Sequence, residues 1–398
     1  MANIFMFATL DHRTLPGELW LEIFAHIEES PYDFSYAPFQ PLPGLPSPWA
    51  TKSAYASVVL VCRNWHAWAI GMLWRDLKFY NTRSTQVNDS SMNIQRKYAK
   101  WVQSVVLPYS STVTKSSTVL STKMLELYRS LQILVRPRHS QSPFQGLLYD
   151  FGTTCPPLLS LRRLVWWNNA DASRTGGINS LMDVLSAAPN LEYLFVKIEP
   201  SQITHLNHTP LLQIRLMRLR TLRLRAVLDW DTMLGQILTL PLPALEFLIL
   251  DAAMLVADAR TTVMWETLGP RLKVVEFGKG VNVMSCLPTL QTCPSLRELN
   301  YHISTTAPPE AGPDIVYPSL TSIGVHMGDI RPAQMKDIKW EFLEQHFNAL
   351  VGGMFPNLRR LRIFGVGEQM FAHTRFRALR ERLTAEGYGS DAVGEDEV

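Results

Sequence analysis

The feature that most constrains the fold is a leucine pattern that recurs along most of the chain. It reads Leu-x-x-Leu-x-apolar and often follows a proline. Eight clear copies begin at positions 161, 191, 219, 245, 272, 296, 320 and 358, and weaker copies begin at 102 and 131. Successive copies are 29, 30, 30, 28, 26, 27, 24, 24 and 38 residues apart. Such regular spacing indicates a stack of similar structural units.

A period near 28 with this leucine spacing is typical of leucine-rich repeats, which have one strand and one helix per unit. Several segments between the copies have apolar residues three and four apart and stop at a proline, which predicts helices. They are NSLMDVLSAAPN, WDTMLGQILTLP, VMSCLPTLQTCP and IKWEFLEQHFNALVGGMFPN. Because one unit cannot bury its apolar face alone, stacked units must share a core. The asparagine typical of regular repeats occurs only at Asn169, so we expect an irregular α/β solenoid.

The concave face of this solenoid is the expected site of target recognition. In a strand written Leu-x-x-Leu-x-Leu-x, the leucines point inward and the third, fifth and seventh positions face the concave surface. The early repeats place aromatic residues beside arginines there, a mixture enriched at binding hot spots. The candidates for target contact are Trp167, Tyr193, Phe195, Arg223, Arg225 and Phe247. Alternatively, these side chains pack against one another or lie under a covering tail.

The N-terminal region has a different character. LPGELWLEIFAHIEES, residues 15–30, predicts one amphipathic helix, and a second helical pattern runs from Ser53 to Trp74. Residues 31–49 between them contain six prolines, which predicts a loop with aromatic anchors. Two short apolar helices around a loop make a mini-domain with a thin core. Such a domain gains stability when a partner covers its remaining apolar face.

These two helical segments resemble the F-box, the module that binds the Skp-type adaptor of cullin-RING ubiquitin ligases. The resemblance covers residues 12–78, with the Pro-rich insert at 31–49 separating its halves. It rests on Leu15-Pro16-x-Glu18-Leu19-x-x-x-Ile23-Phe24, followed by Leu60-Val61-Cys62-Arg63-x-Trp65 and Leu73-Trp74. It implies that a set of apolar residues contacts the adaptor or supports the helices that do: Leu15, Pro16, Leu19, Ile23, Phe24, Val61, Cys62 and Trp65. Alternatively, these residues form only the core of the mini-domain, and Cys62 by itself is expected to be a small buried hydrophobe.

Composition and motifs narrow the function further. The chain has 38 Lys+Arg and 35 Asp+Glu, a net charge of +3, which is too small for general affinity to nucleic acid or an anionic membrane. Four scattered cysteines do not suggest a disulfide framework, and neither a signal peptide nor a membrane-spanning segment is expected. Motifs for phosphate loops, zinc proteases, hydrolase elbows and dinucleotide binding are missing from the sequence. No cofactor or metal is therefore expected.

Together these observations predict four regions and one function. Residues 1–11 form a tail, 12–78 an F-box-like helical module, 79–385 the repeat solenoid and 386–398 an acidic disordered tail. The resemblance implies a non-catalytic substrate receptor that binds a Skp-type adaptor, and through it a cullin, in the cytoplasm, the nucleus or both. It would also bind a target protein, through the repeat domain. The alternatives are an interaction scaffold without a ubiquitin-ligase role and an undetected enzyme on a repeat shell.

Overall fold

The computed structural model is built around one parallel sheet. It describes residues 15–27, 35–43, 54–78, 96–106, 125–136, 155–167, 181, 184–198, 214–226, 237–251, 259–281, 283, 286–309, 316–328, 337–351, 353–366, 368–385, 387 and 389–393. In these residues, twelve strands follow one another in the sheet in chain order, and every neighbouring pair is parallel. This arrangement confirms a solenoid-like α/β architecture.

The strands recur at the spacing of the leucine pattern. They are β1 (Asp76–Lys78), β2 (Ser104–Val106), β3 (Ile133–Arg136), β4 (Arg163–Trp167), β5 (Tyr193–Ile198), β6 (Thr221–Ala226), β7 (Phe247–Leu250), β8 (Val274–Phe277), β9 (Glu298–His302), β10 (Ser322–His326), β11 (Arg360–Phe364) and β12 (Gly389–Val393). The ten strands from β2 to β11 each coincide with one copy of the pattern.

The helices that lie between or after the strands pack on the face of the sheet that carries the leucines. α1 (Gly17–Ala25), α2 (Ala54–Val58) and α3 (Arg63–Leu73) precede the sheet. α4 (Ala259–Leu268), α5 (Leu287–Thr292), α6 (Asp337–Val351), α7 (Glu368–Ala372) and α8 (Thr374–Ala385) lie between or after the strands. The helical segments named from the sequence include α5 and α6, but not α4. Much of the helix predicted in WDTMLGQILTLP lies outside the described residues.

The register of the sheet aligns the inward-facing leucines of successive repeats. Leu164 lies beside Leu194, Leu194 beside Leu222 and Leu222 beside Leu248. All four are buried in one core that extends from Ala99 to Leu383. The helices contribute Trp265, Leu290, Phe347 and Phe376 to the same core. Each repeat therefore buries its apolar face against its neighbours, as the pattern predicted.

A second ladder forms where each strand begins. The amide of Glu192 donates to the carbonyl of Arg162 at 2.8 Å, and those of Arg220 and Glu246 donate to the preceding repeat at 2.9 Å. The side chains at these positions also form ion pairs between successive repeats. Arg162 Nη2 lies 2.6 Å from Glu192 Oε2, Arg220 Nη2 lies 2.7 Å from Glu246 Oε2, and Lys273 Nζ also contacts Glu246. Main-chain and side-chain contacts thus fix the stacking of successive repeats.

At both ends, the sheet extends beyond the residues that the sequence analysis assigned to the repeat solenoid. β1 directly follows α3 and pairs with β2, although residues 76–78 were assigned to the helical module. β12 pairs with β11, although residues 386–398 were expected to be disordered. The physical reason is the same at each end. An edge strand offers unpaired backbone groups, and a short segment can pair with them whatever its side chains.

Candidate functional site

The three N-terminal helices pack around a small aromatic cluster. The ring of Trp65 on α3 lies 4.6 Å from Trp20 and 5.1 Å from Phe24, both on α1. The Tyr55 hydroxyl on α2 donates to the Phe24 carbonyl at 2.8 Å. The buried part of this cluster also includes Val58 and Ala69. The helices therefore share a core of their own, and it is a thin one.

The residues expected to contact an adaptor divide between the core and the surface of these helices. Leu19 and Ile23 are each 45% exposed and Val61 is 60% exposed, whereas Phe24 is buried. Pro16 and Cys62 are exposed, and Leu15 and Trp65 are half-buried. The expectation that Cys62 is buried is thus not met. Its Sγ accepts the Trp65 amide at 3.5 Å and caps α3, which explains its position at the surface.

Exposed apolar side chains are concentrated in this region. Among the described residues, eleven large apolar side chains are exposed, and six of them lie on or beside α1–α3: Leu19, Leu21, Ile23, Ile27, Leu60 and Val61. Leu19, Ile23 and Ile27 recur every four residues and so share one side of the helical turn. Exposed apolar side chains grouped in one region mark an interaction site more often than scattered single residues do.

Part of the Pro-rich insert lies across the face of the sheet opposite the leucine core, and we keep the predicted name, the concave face, for this surface. We call residues 35–43 the cover segment. Trp167 Nε1 on β4 donates to the Pro43 carbonyl at 2.6 Å. Arg223 on β6 donates to the carbonyls of Gln40 and Pro41 at 2.9 and 3.2 Å. Because these partners lie on different strands, the cover segment crosses the sheet instead of extending its edge.

At the other end of the cover segment, the partner is Glu276 on β8. Its Oε2 accepts the Tyr36 hydroxyl at 2.6 Å and the Phe39 amide at 3.0 Å. The Tyr36 hydroxyl in turn accepts Asn300 Nδ2 at 2.6 Å. A single carboxylate on the sheet therefore binds both the main chain and a side chain of the cover segment.

Three side chains anchor the cover segment. The Tyr36 ring lies 5.3 Å from Phe247. The Phe39 ring is buried edge-on among three rings on β9, β10 and β11, at 5.1, 4.9 and 5.0 Å from His302, His326 and Phe364. Phe39 also has a φ of 57°, a left-handed conformation that is uncommon for residues other than glycine. Packing of its ring stabilises this turn.

The third anchor covers the residues predicted to bind a target. Leu42 packs against a buried cluster of Val165, Trp167, Tyr193 and Phe195. Trp167, Tyr193, Phe195 and Arg223 are at most 6% exposed, while Arg225 and Phe247 are half-buried. The structure thus brings the predicted residues together on the concave face, but beneath the cover segment. Their contact with a target stays a prediction.

Charged groups also lie under the cover segment. Arg223 Nε is 2.5 Å from Asp251 Oδ2, and the two side chains are only 4% and 8% exposed. Burial lowers the pKa of Arg223, but the charge and hydrogen bonds of Asp251 outweigh it and raise that pKa overall. Burial raises the pKa of Glu276 to about 7, although the bonds from Tyr36 and Phe39 oppose the change. The floor of the concave face is thus polar at its centre.

The polar region continues toward β9 and β10. Burial, with smaller contributions from His326 and Lys279, lowers the pKa of His302 to about 3, so that its ring is neutral near pH 7. A neutral ring is well suited to pack edge-on with Phe39.

Two cavities border the cover segment, with volumes of about 440 and 480 Å3. The first is lined by Phe39, Gln40, Leu42, Arg223, Arg225, Asp251, Glu276, Gly278, Lys279, Gly280, His302 and His326. The second is lined by Ser35, Tyr36, Arg162, Glu192, Tyr193, Arg220, Thr221 and Phe247.

In comparisons with known proteins, no family model matches the chain and no curated protein is significantly similar to it. Within the described ranges, no helix is both long and apolar enough to cross a membrane. The same residues contain no group of three or more histidine, cysteine, aspartate or glutamate side chains placed to hold a metal ion. The candidate surfaces described above are the exposed apolar residues of α1–α3 and the concave face beneath the cover segment.

Proposed function

We propose that this chain is a non-catalytic substrate receptor of a Skp-cullin-F-box ubiquitin ligase. In this proposal α1–α3 bind the Skp-type adaptor, and through it a cullin, while the repeat sheet binds the target protein. The complex would place the protein in the cytoplasm, the nucleus or both. The observation that carries the proposal is the group of six exposed apolar side chains on or beside the helices that resemble an F-box.

The energetics of the helical unit support a partner at this surface. Fully burying a leucine or isoleucine side chain contributes roughly 1.5–3 kcal/mol. Leu19 and Ile23 are nearly half exposed and Leu60 and Val61 more so, so covering them would recover a good part of that amount at each position. Because the core of α1–α3 is thin, this gain is large relative to the stability the unit has alone.

The role of the repeat sheet in the proposal is to hold the target. A receptor that binds both the ligase and its target converts ubiquitin transfer from an encounter in solution into a reaction between neighbouring groups. The chain itself would need no catalytic residue for this effect.

Co-purification tests the proposal. The tagged full chain should capture the Skp-type adaptor, and Leu19→Asp together with Ile23→Asp should reduce capture at least about tenfold, because two charges would be desolvated at the interface. Leu159→Asp is the matched control, since Leu159 is 63% exposed on the repeat region. Phe24 is left unchanged because its ring is buried. If the natural chain fails to capture the adaptor, or the double variant captures it as well as the control, an interaction scaffold without a ligase role becomes the better interpretation.

A further inference from the structure

The cover segment is bound to the sheet in the way that a receptor binds an extended peptide. Its main chain supplies four of the contacts, through the carbonyls of Gln40, Pro41 and Pro43 and the amide of Phe39. Contacts of this kind do not depend on the side chains of the bound segment. Selectivity comes instead from pockets for alternate side chains, as in other modes of peptide recognition.

We propose that the concave face is a binding site for an extended segment of another protein, and that residues 35–43 are an internal ligand which that segment displaces. The chemistry of the internal ligand defines the partner. Two aromatic residues stand three apart, as Tyr36 and Phe39, and an apolar residue lies between two prolines, as Leu42 does between Pro41 and Pro43. The inference rests on the proposed function only in that the segment would belong to the ligase target.

The centre of the surface beneath the cover segment is polar and compatible with water, which makes an exchange of ligands feasible. Its centre carries Arg223, Asp251, Glu276 and Asn300, all of which can hydrogen-bond to solvent. The burial that raises the pKa of Glu276 also means that its ionised form gains hydration when the face opens. On the opposite face of the sheet, by contrast, the apolar side chains form a core that cannot be exposed without unfolding.

The apolar part of the concave face explains the selectivity. Val165, Trp167, Tyr193 and Phe195 form a compact cluster whose partner on the cover segment is Leu42. An incoming segment must replace this contact, because an exposed cluster of that size is costly in water. A leucine or a similar side chain beside prolines meets this requirement.

The concave face also has more room than the cover segment fills. The two bordering cavities, of about 440 and 480 Å3, are in the size range of pockets that bind small ligands. A displacing segment can therefore carry side chains larger than those of the internal ligand and make contacts that the internal ligand lacks. These additional contacts allow a target segment to displace the cover segment, which is tethered to the site.

Competition with the tethered segment gives a measurable signature. An internal ligand has an effective concentration on the order of millimolar, so the natural chain should bind a peptide in trans more weakly than a chain whose cover segment is loosened. The probe is a fluorescent peptide of residues 35–43, SYAPFQPLP, measured by anisotropy. The loosened full chain carries Tyr36→Ser, Phe39→Ser and Leu42→Ser. The control chain carries Ala37→Ser, an exposed position of the same segment.

We expect the loosened chain to bind the peptide at least about tenfold more tightly than the natural and control chains do. A peptide with serine in place of Tyr36 and Phe39 should not bind. Equal affinity for the natural and loosened chains, or a folded loosened chain that does not bind, would overturn the proposal. Loss of the fold in the loosened chain would also overturn it, because the cover segment would then be a permanent part of the core.

Hydrogen exchange on the natural chain provides a second test that needs no variant. The Phe39 amide is protected by its bond to Glu276. If the cover segment opens while the sheet stays folded, this amide should exchange at least about a hundredfold faster than the amides of β9. Exchange at the same rate as β9 would show that the segment leaves only on global unfolding, and no ligand could then replace it. Both tests use the isolated chain, so they can succeed or fail independently of adaptor binding.

Discussion

Glu276 is the residue at which the cover segment and the sheet are most directly coupled. Its carboxylate accepts the Tyr36 hydroxyl and the Phe39 amide, two contacts that favour the ionised form. Burial favours the neutral form more strongly and raises the pKa of Glu276 to about 7. This one group therefore titrates close to neutral pH, where an unperturbed glutamate would be fully ionised.

The raised pKa makes stability depend on pH. In the unfolded chain Glu276 ionises near pH 4.5, so between about pH 4.5 and 7 the folded chain retains a proton that the unfolded chain releases. The stabilisation is complete below this window and is lost as the pH rises through 7. Relative to Glu276→Gln, the unfolding free energy of the natural chain should fall by about 3 kcal/mol from pH 4 to pH 8. Urea unfolding across this range measures the difference, and parallel curves for the two chains would contradict it.

Gly324 shows how little space the floor of the concave face allows. A Cβ at this position would lie 2.0 Å from Asn300 Oδ1 and 3.2 Å from a ring carbon of Phe364. Because the Asn300 side chain would have to move, Gly324→Ala should break its bond to the Tyr36 hydroxyl and destabilise the chain by roughly 1–3 kcal/mol. Thermal unfolding measures the loss. Gly353→Ala is unsuitable as a control because its φ is 83°. Ala37→Ser, at an exposed position of the cover segment, serves instead.

At the scale of elements, the strands carry two kinds of ion pair with different expected energies. Glu246 lies at the start of β7 between Arg220 and Lys273, and its hydrogen bonds to Lys273 and then Arg220 lower its pKa. Both basic partners are substantially exposed. Arg223 and Asp251, by contrast, form a buried pair between β6 and the end of β7. The burial of each pair determines how much unfolding free energy is lost when one partner is replaced.

The loss of unfolding free energy should therefore differ several-fold between substitutions in the two pairs. Glu246→Gln should cost about 1 kcal/mol or less, because exposed pairs are screened by solvent. Arg223→Met should cost about 3–5 kcal/mol, because Asp251 would keep a buried charge without its partner. Chemical denaturation of both variants at one pH gives the comparison. Adding Asp251→Leu to Arg223→Met should restore part of the loss, and failure to do so would mean that the cost arises elsewhere.

The elements that the sequence could predict are those set by the alternation of side chains. Leu161, Leu191 and their equivalents mark the start of each repeat, because only one register buries every leucine of a strand. α4 was missed because ARTTVMWETL has few apolar residues on one face, although Met264 and Trp265 are buried. β1 and β12 were missed because edge pairing depends on backbone groups, which leave no pattern in the sequence.

At the scale of the whole molecule, the sequence predicted the concave residues but not what covers them. Trp167, Tyr193, Phe195 and Arg223 follow from strand alternation, and the structure places them on one surface. The hydrogen bonds of the cover segment join residues 124 to 264 positions apart in the chain, such as Pro43 with Trp167 and Tyr36 with Asn300. No local periodicity encodes such pairings. The only available signal was the presence of Tyr36 and Phe39 among the prolines of the insert.

The path of the cover segment should also affect how the molecule unfolds. A stack in which each repeat touches only its neighbours behaves as a one-dimensional array that can lose units from its ends. Residues 36–43 contact side chains on every strand from β4 to β11. We expect the natural chain to unfold in one sharp urea transition, and the chain with Tyr36, Phe39 and Leu42 changed to serine to unfold over a broader range. Coincident transitions with equal slopes in both chains, followed by tryptophan fluorescence and circular dichroism, would contradict this.

The nine residues of the cover segment would then make the unfolding of eight repeats cooperative, although these residues belong to none of the repeats. Without them, the repeats would unfold one after another. A ligand that displaces those residues would then have to supply the lost cohesion itself. Binding of a partner would therefore change the stability of all these repeats, and not only of the strands that the partner contacts.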